Sequence, residues 1–550
     1  MSTDLDRRFD VIVAGSGGAG LTAAILAHDN GARVLIIERS DKVGGTTAVS
    51  GGGLWVPLNH HLAEPDSREA ALTYCKRLTA GRADDSLVET FVDTAHEMAR
   101  YLEEKTPVQF VATSMPDYQS ELPGARPQGG RTLDQEFYPR AELGEWAAKL
   151  RPSPLMFVPL RIEEAMKSMG QPRGLNVKSI VERMQQGLMG SGNALVGRLL
   201  KGCLERGIEI ELKTRARRLV REDGLLIGVE VEGEGGTGQI GARAVVLACG
   251  GFEWNSDLWS RFQPGTLAQH CSPPYNEGDA LLMASELGAD LANMSEAWLY
   301  PGFAIPGEEH EDRPVSRWVI GERTLPHSTV VNRFGRRFTN EGANYNDMAK
   351  ALLDFDPTTY SYRNLPSWCI MDARYRRSYP VMTVMPRDPD PDWLPKFDSL
   401  EALAARLGID AEGLRSTIDR FNRLAASGKD DDFNRGESAY ERWIGDPNAA
   451  HPNLGPLEEP PFYALPISLA AAGTKGGPRT NTKGQVLNVR GGVISGLYAA
   501  GNAMAGVSGP GYYGGGGTIG LAMTWGYICG INAAQEAKAG AGTHELAAGS

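Results

Sequence analysis

Cysteine is scarce in this chain: six among 550 residues, at 75, 203, 249, 271, 369 and 529, with no C-x-x-C pair. Scattered thiols exclude a disulfide framework and read as reduced packing residues of a cytoplasmic protein. The nine histidines fall mostly in loops, and His60-His61 has no suitably spaced third ligand, so no metal site is expected. Positive charge is in deficit, 56 Lys and Arg against 68 Asp and Glu, a net −12. That balance argues against a nucleic-acid partner and offers no patch for an anionic membrane. No apolar run approaches the roughly 18 residues of a transmembrane segment. The opening MSTDLDRRFD is polar and has no apolar h-region, so no signal peptide is expected. A chain this long is too large for one core and implies two or more domains.

Glycine is abundant, 67 residues, and it clusters behind apolar runs. The chain is organised around the first such place. Residues 9–14 are a short β-branched run suited to a buried parallel strand. It breaks into Gly15-Ser16-Gly17-Gly18-Ala19-Gly20, a full G-x-G-x-x-G. Gly15 serves the tight turn, Gly17 lets backbone amides approach a pyrophosphate, and Gly20 lets the next helix pack against the strand. That helix has an apolar face in Leu21, Ala24, Ile25 and Ala27, and Gly31 is placed to end it. A second strand, 33–37, delivers Glu38, with Arg39 beside it, 18 positions past Gly20. A carboxylate about 20 residues on takes a ribose hydroxyl, so the pattern points to an adenine dinucleotide held on a helix N-terminus.

Residues 43–57 are too rich in Gly, Ser and Thr for helix or strand. They read as a loop in which Gly45, Thr46, Thr47, Ser50, Gly51 and Gly52 approach the ribityl and pyrophosphate groups of a flavin. Residues 67–105 read as helical, and 115–133 form a Pro/Gly-punctuated stretch with Tyr118 in its middle. A helix at 194–206 and strands at 209–212 and 226–232 precede a buried strand, 242–248. That strand ends at Cys249-Gly250-Gly251, with Ala248 and Gly250 as cofactor contacts. Residues 276–291 read as a helix with Asn276 or Asp279 near its start and Gly288 near its end. From about 294 to 460 the texture is rich in Trp, Tyr, Arg and Pro, which reads as an inserted domain with a short strand at 330–332 and helices around 398–427. The end returns to the first domain. A strand at 494–500 runs into Gly501-Asn502, and Tyr512-Tyr513 precede four glycines. Thr518-Ile519-Gly520 then opens a helix to about 534, whose N-terminal amides can face a flavin edge or a substrate oxyanion.

GSGGAG with Glu38, VGGTTAVSGGG, VVLACGGF, NRFGRRFTNE, GTKGGPRTN, GLYAAGN and GGGGTIGLAMTWGYICG follow one another along nearly the whole chain. In that order they resemble the fumarate reductase/succinate dehydrogenase flavoprotein superfamily, and within it the 3-ketosteroid Δ1-dehydrogenases. The resemblance implies an α/β chain. A Rossmann-like FAD-binding domain of the glutathione-reductase type spans 1–293 and 461–550, with an inserted α+β catalytic or cap domain at 294–460. It implies FAD-dependent 1,2-dehydrogenation of a 3-ketosteroid and a separate, unidentified electron acceptor. An apolar substrate leaves peripheral membrane association open. Carried over motif by motif, Tyr118 in the PDY loop supports the base and Tyr345 after NE takes the C2 proton. Tyr513 and the Gly517 amide, in Y-x-G-x-G-x-T-I-G, hold the C3 carbonyl; Tyr512 is the rival if the register shifts by one. Gly514 stands where proline is expected. Trp298, Phe303 and Met115 are the expected walls of an apolar cleft. The alternatives within the fold are a 3-ketosteroid Δ4-(5α)-dehydrogenase and a fumarate-type enoate reductase. The cationic carboxylate anchors of the latter are missing: 472–477 read AGTKGG and tyrosines precede the last glycine run. No His lies near position 48, so FAD is expected to be non-covalent.

Overall fold

The computed structural model describes residues 7–170, 175–266 and 269–548, with side chains described to residue 539. The first apolar run forms strand Arg8–Ala14. It pairs in parallel with Gly236–Leu247 on one side and Val34–Ile37 on the other. Val11, Ile12 and Val13 are fully buried, as a central parallel strand covered on both faces requires. Val493–Ala499 extends this sheet beyond Gly236–Leu247, and Glu209–Glu211 extends it beyond Val34–Ile37. Leu225–Gly233 and Arg215–Glu222 continue it antiparallel. The latter strand, RARRLVRE, has too little apolar surface to be legible as one and is held by its ladder.

Helix Gly18–Asp29 follows the glycine loop and packs along the C-terminal helix Gly517–Ala548. A Cβ at Gly526 would collide with the Ala19 carbonyl, and one at Gly530 with the Ala23 carbonyl. Glycine on one helix therefore lets the two backbones meet, which fixes the C-terminal helix and the glycine run at its start against the nucleotide loop.

A second sheet runs in the order Arg317–Trp318, Ala297–Phe303, Phe462–Thr474, Ser367–Met371, Ser328–Asn332. Its central strand, Phe462–Thr474, lies beyond the expected boundary at 460/461. The chain rejoins the first part of the fold only near Gly477–Pro478, which pairs with Leu291–Ala292. An apolar run fits either sheet equally, and only its pairing partners assign it.

Other expectations shift locally. The stretch at 43–57 holds a short helix, Gly45–Val49, and a strand, Leu54–Trp55, rather than being loop throughout. The helix expected at 276–291 spans only Asp279–Glu286, because Gly278 before it is left-handed (φ 88°). The helical 67–105 divides into Arg68–Thr79 and Asp85–Lys105. The second of these helices carries Glu103 to His60 and His61, the third group that linear spacing did not show. Among the described residues, no helix is long and apolar enough to cross a membrane.

Candidate active site

A cavity of about 520 Å3 runs from the ends of strands Arg8–Ala14 and Val34–Ile37 to the second sheet. Every residue expected at the cofactor lines it except Gly20 and Gly517. The three glycines of the first loop differ as their chemistry requires. Gly15 has φ 109° and Gly20 would drive a Cβ into the Gly15 carbonyl, so both are structural. A Cβ on Gly17 would meet nothing nearer than the Thr47 hydroxyl at 3.8 Å, so this glycine keeps open the space a phosphate would fill. Gly18 opens the helix beside it, donating its N–H to Thr47 Oγ1 at 3.0 Å. Glu38 stands buried at the end of its strand. It accepts from the Ser16 hydroxyl (2.7 Å) and the Ser16 and Ser40 amides (3.1 and 3.0 Å). Two carboxylate oxygens so oriented retain lone pairs for a ribose hydroxyl. Phosphate-sized room at a helix N-terminus and an oriented acid at the strand end together fit FAD.

At the other end stand three tyrosines from three distant segments. Tyr118 follows Asp117, which accepts from Trp55 Nε1 (2.7 Å), Arg131 (2.7 Å) and the Arg126 amide (2.8 Å). Tyr345 opens helix Tyr345–Ala351, capped by the Asn344 side chain. Tyr512 precedes the glycine run, its hydroxyl accepting from Thr518 Oγ1 at 3.0 Å. The Tyr118 and Tyr345 hydroxyls are 3.1 Å apart. The Tyr512 ring lies 5.2 Å from that of Tyr118 and 5.4 Å from that of Tyr345. Burial drives the phenol pKa of all three upward, and for Tyr345 the neighbouring Tyr118 and Tyr512 add to it. All three rest as neutral hydroxyls.

Tyr513 and Gly517, expected at the substrate carbonyl, are elsewhere. The Tyr513 ring is 1 % exposed and sits against Trp55 (5.1 Å) and Phe91 (5.9 Å), outside the cavity. Its backbone carbonyl takes the Tyr118 amide and the Tyr74 hydroxyl, so this residue anchors the loop. The Gly517 amide donates to the Gly514 carbonyl at 3.0 Å. Their predecessors occupy the cavity instead: Tyr512, and Gly516, whose N–H has no acceptor among the described residues. Gly516 is left-handed (φ 81°), and a Cβ there would collide with Gly53. The pattern sets five residues between its tyrosine and its threonine, and only four separate Tyr513 from Thr518; counting back from Thr518 is the signal that reaches Tyr512.

Of the expected walls, Met115 lines the cavity. Trp298 stands behind Tyr512 at 4.7 Å, and Phe303 packs on Trp393 in the second core. The wall is methionine-rich instead: Met166, Met169, Met382 and Met385, with Ile162 and Trp318, whose ring meets Tyr345 at 4.3 Å. Such side chains adapt to irregular apolar shapes and leave no periodic trace in sequence. Four arginines also reach the cavity, and each is paired. Arg39 and Arg215 engage Glu277, Arg151 engages Glu311, and Arg317 engages Glu308.

Residues 10–519 match the family described as FAD binding domain. The chain is 38% identical over 542 residues to a 4-oxocyclohexanecarboxylate 2-dehydrogenase of Sinomonas cyclohexanicum, covering 96% of this chain and 93% of that one. It is 36% identical over 565 residues to a 3-oxosteroid 1-dehydrogenase of Mycobacterium tuberculosis, covering 96% and 99%. The structure of a 3-ketosteroid Δ1-dehydrogenase from Sterolibacterium denitrificans, in complex with 1,4-androstadiene-3,17-dione, superposes with a TM-score of 0.91 at 34% identity, covering 96% and 100%.

Proposed function

Given that the chain belongs to the FAD binding domain family, and is an FAD-dependent oxidoreductase, we propose that it desaturates a ring ketone beside its carbonyl: C1–C2 of a 3-oxosteroid. The observation that carries this reading is the meeting of three buried phenols and one free amide on an apolar cavity.

The chemical difficulty is a weakly acidic C–H. The ketone oxygen is assigned to the Tyr512 hydroxyl and the Gly516 N–H, two donors that gain strength as charge develops on that oxygen. Polarised so, the C2 proton passes to the Tyr345 oxygen in the minor fraction of molecules whose Tyr345 phenol has already lost its own proton to solvent. The bridge between Tyr345 and Tyr118 can run either way. With Tyr345 donating it holds the Tyr345 proton in place; with Tyr118 donating it stabilises the Tyr345 oxygen as a base, and catalysis uses the second sense. Bound FAD supplies the acceptor for the hydride that leaves C1. The methionine wall excludes water and takes the remaining rings of a steroid by apolar contact.

One finding favours a second ketone class: the 38% identical relative is named for a ring ketone bearing a carboxylate. Such an acid needs a cation on the wall. The arginines there are already paired, and burial raises the pKa of Glu322, which also lines the cavity. The neutral, multi-ring ketone is therefore preferred. Anaerobic mixing of the flavin-loaded protein with androst-4-ene-3,17-dione tests this, with 4-oxocyclohexanecarboxylate in parallel. Loss of the visible flavin band with formation of the 1,4-diene is expected for the steroid. An unchanged band with the steroid and bleaching by the carboxylate would overturn the substrate class. A steroid product desaturated elsewhere would overturn the position.

A further inference from the structure

Outside the cavity, on the loop after strand Leu54–Trp55, His60 and His61 turn the same ring nitrogen toward one carboxylate. His60 Nε2 lies 2.7 Å from Glu103 Oε2, and His61 Nε2 lies 3.0 Å from both Glu103 oxygens. The two imidazoles are 4.3 Å apart, centre to centre. A His–Glu hydrogen bond needs one imidazole. Two converging on one acid make a three-pronged donor set, and it is the one such group among the described residues, its donor atoms all within 4.8 Å of one another. We propose that His60, His61 and Glu103 bind a divalent transition-metal ion of the zinc class.

Two imidazole nitrogens and one carboxylate oxygen suit Zn2+, which takes such ligands at about 2.0–2.2 Å in a tetrahedron. Tetrahedral bonds of that length set donors about 3.3 Å apart. The carboxylate must draw back from the two imidazoles, now 2.7 and 3.0 Å away, by about 0.3–0.6 Å, while the imidazole nitrogens, within 4.8 Å of one another, adjust toward the same spacing; His60 is exposed and free to move. A water would complete the four-coordinate set.

The backbone on both sides is already fixed. Glu103 Oε1 accepts the Phe110 amide at 2.9 Å, which orients the carboxylate. The His61 amide donates to Asn59 Oδ1 (3.1 Å), and Asn59 Nδ2 donates to the Val56 and Gly130 carbonyls (2.8 and 2.9 Å). Partners of this kind, one shell out, hold ligands in place before the ion arrives. The ion would join the loop after Trp55 to the C-terminal end of helix Asp85–Lys105. None of the three residues lines the cavity, so the role is structural and separate from turnover.

The test uses the full-length, FAD-loaded protein, freed of metal by dialysis against chelator. Titration with zinc sulfate in a calorimeter is expected to show one saturable equivalent per chain. His61→Ala and Glu103→Gln are each expected to weaken binding by about tenfold or more, with flavin absorbance and far-ultraviolet dichroism unchanged. Cobalt(II) should give the intense visible bands of a four-coordinate nitrogen–oxygen site. Lack of saturable binding up to millimolar zinc overturns the proposal. So does binding undiminished in a flavin-loaded His60→Ala, His61→Ala double variant. Should that variant fail to fold, six-coordinate cobalt bands in the unaltered protein overturn it alone.

Discussion

Replacing Tyr512 and Tyr513 one at a time with phenylalanine separates the proposed carbonyl donor from its neighbour. The two substitutions are chemically identical and adjacent, yet the fold gives them opposite consequences. Tyr512 faces the cavity with its hydroxyl held by Thr518 Oγ1 at 3.0 Å, beside the free Gly516 amide. Removing one of two donors to a developing oxyanion costs about 3 kcal/mol of barrier, on the order of 10²–10³ in kcat. Tyr513 is enclosed by Trp55, Tyr74 and Phe91, and its hydroxyl reaches only the Val507 carbonyl at 3.4 Å. Losing so long a hydrogen bond costs about 0.5–1 kcal/mol of stability, and activity should stay within about threefold. The assay is steady-state oxidation of androst-4-ene-3,17-dione with an artificial electron acceptor, rates divided by flavin content. A hundredfold loss in Tyr513→Phe with near-normal Tyr512→Phe would refute both the register and the carbonyl assignment.

Tyr345→Phe should abolish turnover and keep FAD; measurable wild-type-like rates would remove the base. Because burial raises the Tyr345 pKa, its base form is scarce below pH 10, and log kcat/KM should climb with pH through the neutral and mildly alkaline range; a flat profile contradicts this. Glu38→Ala should lower the flavin content of the purified protein, since its carboxylate orients the strand end through Ser16 and Ser40. Acid precipitation should release all yellow colour into the supernatant if FAD is non-covalent. Burial alone would raise Glu341, but Arg337 and Arg435 overcome it and hold its carboxyl at about 2. A folded value below the unfolded one of about 4.3 stabilises above that pH and is lost as pH falls toward 2, worth about 3 kcal/mol. Urea midpoints of Glu341→Gln should therefore be lower at pH 7 and fall less steeply on acidification.

At the expected cofactor end, several residues answer local demands that a linear pattern can carry. Glycine was required at 15 for a positive φ and at 17 for open space, and an acid was required at the strand end. The substrate end was half readable. Tyr118 and Tyr345 sit in loops that spacing and motif could mark, but their meeting across 227 positions belongs to the fold. Which of Tyr512 and Tyr513 lines the cavity turned on which ring the loop turns into the core, where Trp55, Tyr74 and Phe91 surround Tyr513. Linear distance likewise hid Glu103 from the two histidines.

Lys475 and Lys350 explain how the Tyr512 loop can be rich in glycine and still hold a defined shape. Lys350 Nζ donates to the Pro510 carbonyl at 2.7 Å, and Lys475 Nζ to the Gly509 and Gly511 carbonyls at 3.1 and 2.7 Å. Two ammonium groups thus grip three consecutive carbonyls immediately before Tyr512. Lys475 also lies 3.9 Å from the centre of the Trp298 ring, which backs Tyr512. Burial pulls the Lys475 pKa well down, so a charge there is costly, and the Gly509 and Gly511 carbonyls offset part of that cost. A site built for a dicarboxylate would turn such cations toward the ligand. Here they face the main chain, Lys350 engaging Glu296 as well, and the arginines on the wall face carboxylates. The groups assigned to the proposed ketone are neutral: phenols, an amide and thioethers, the surface a ketone with an apolar body calls for.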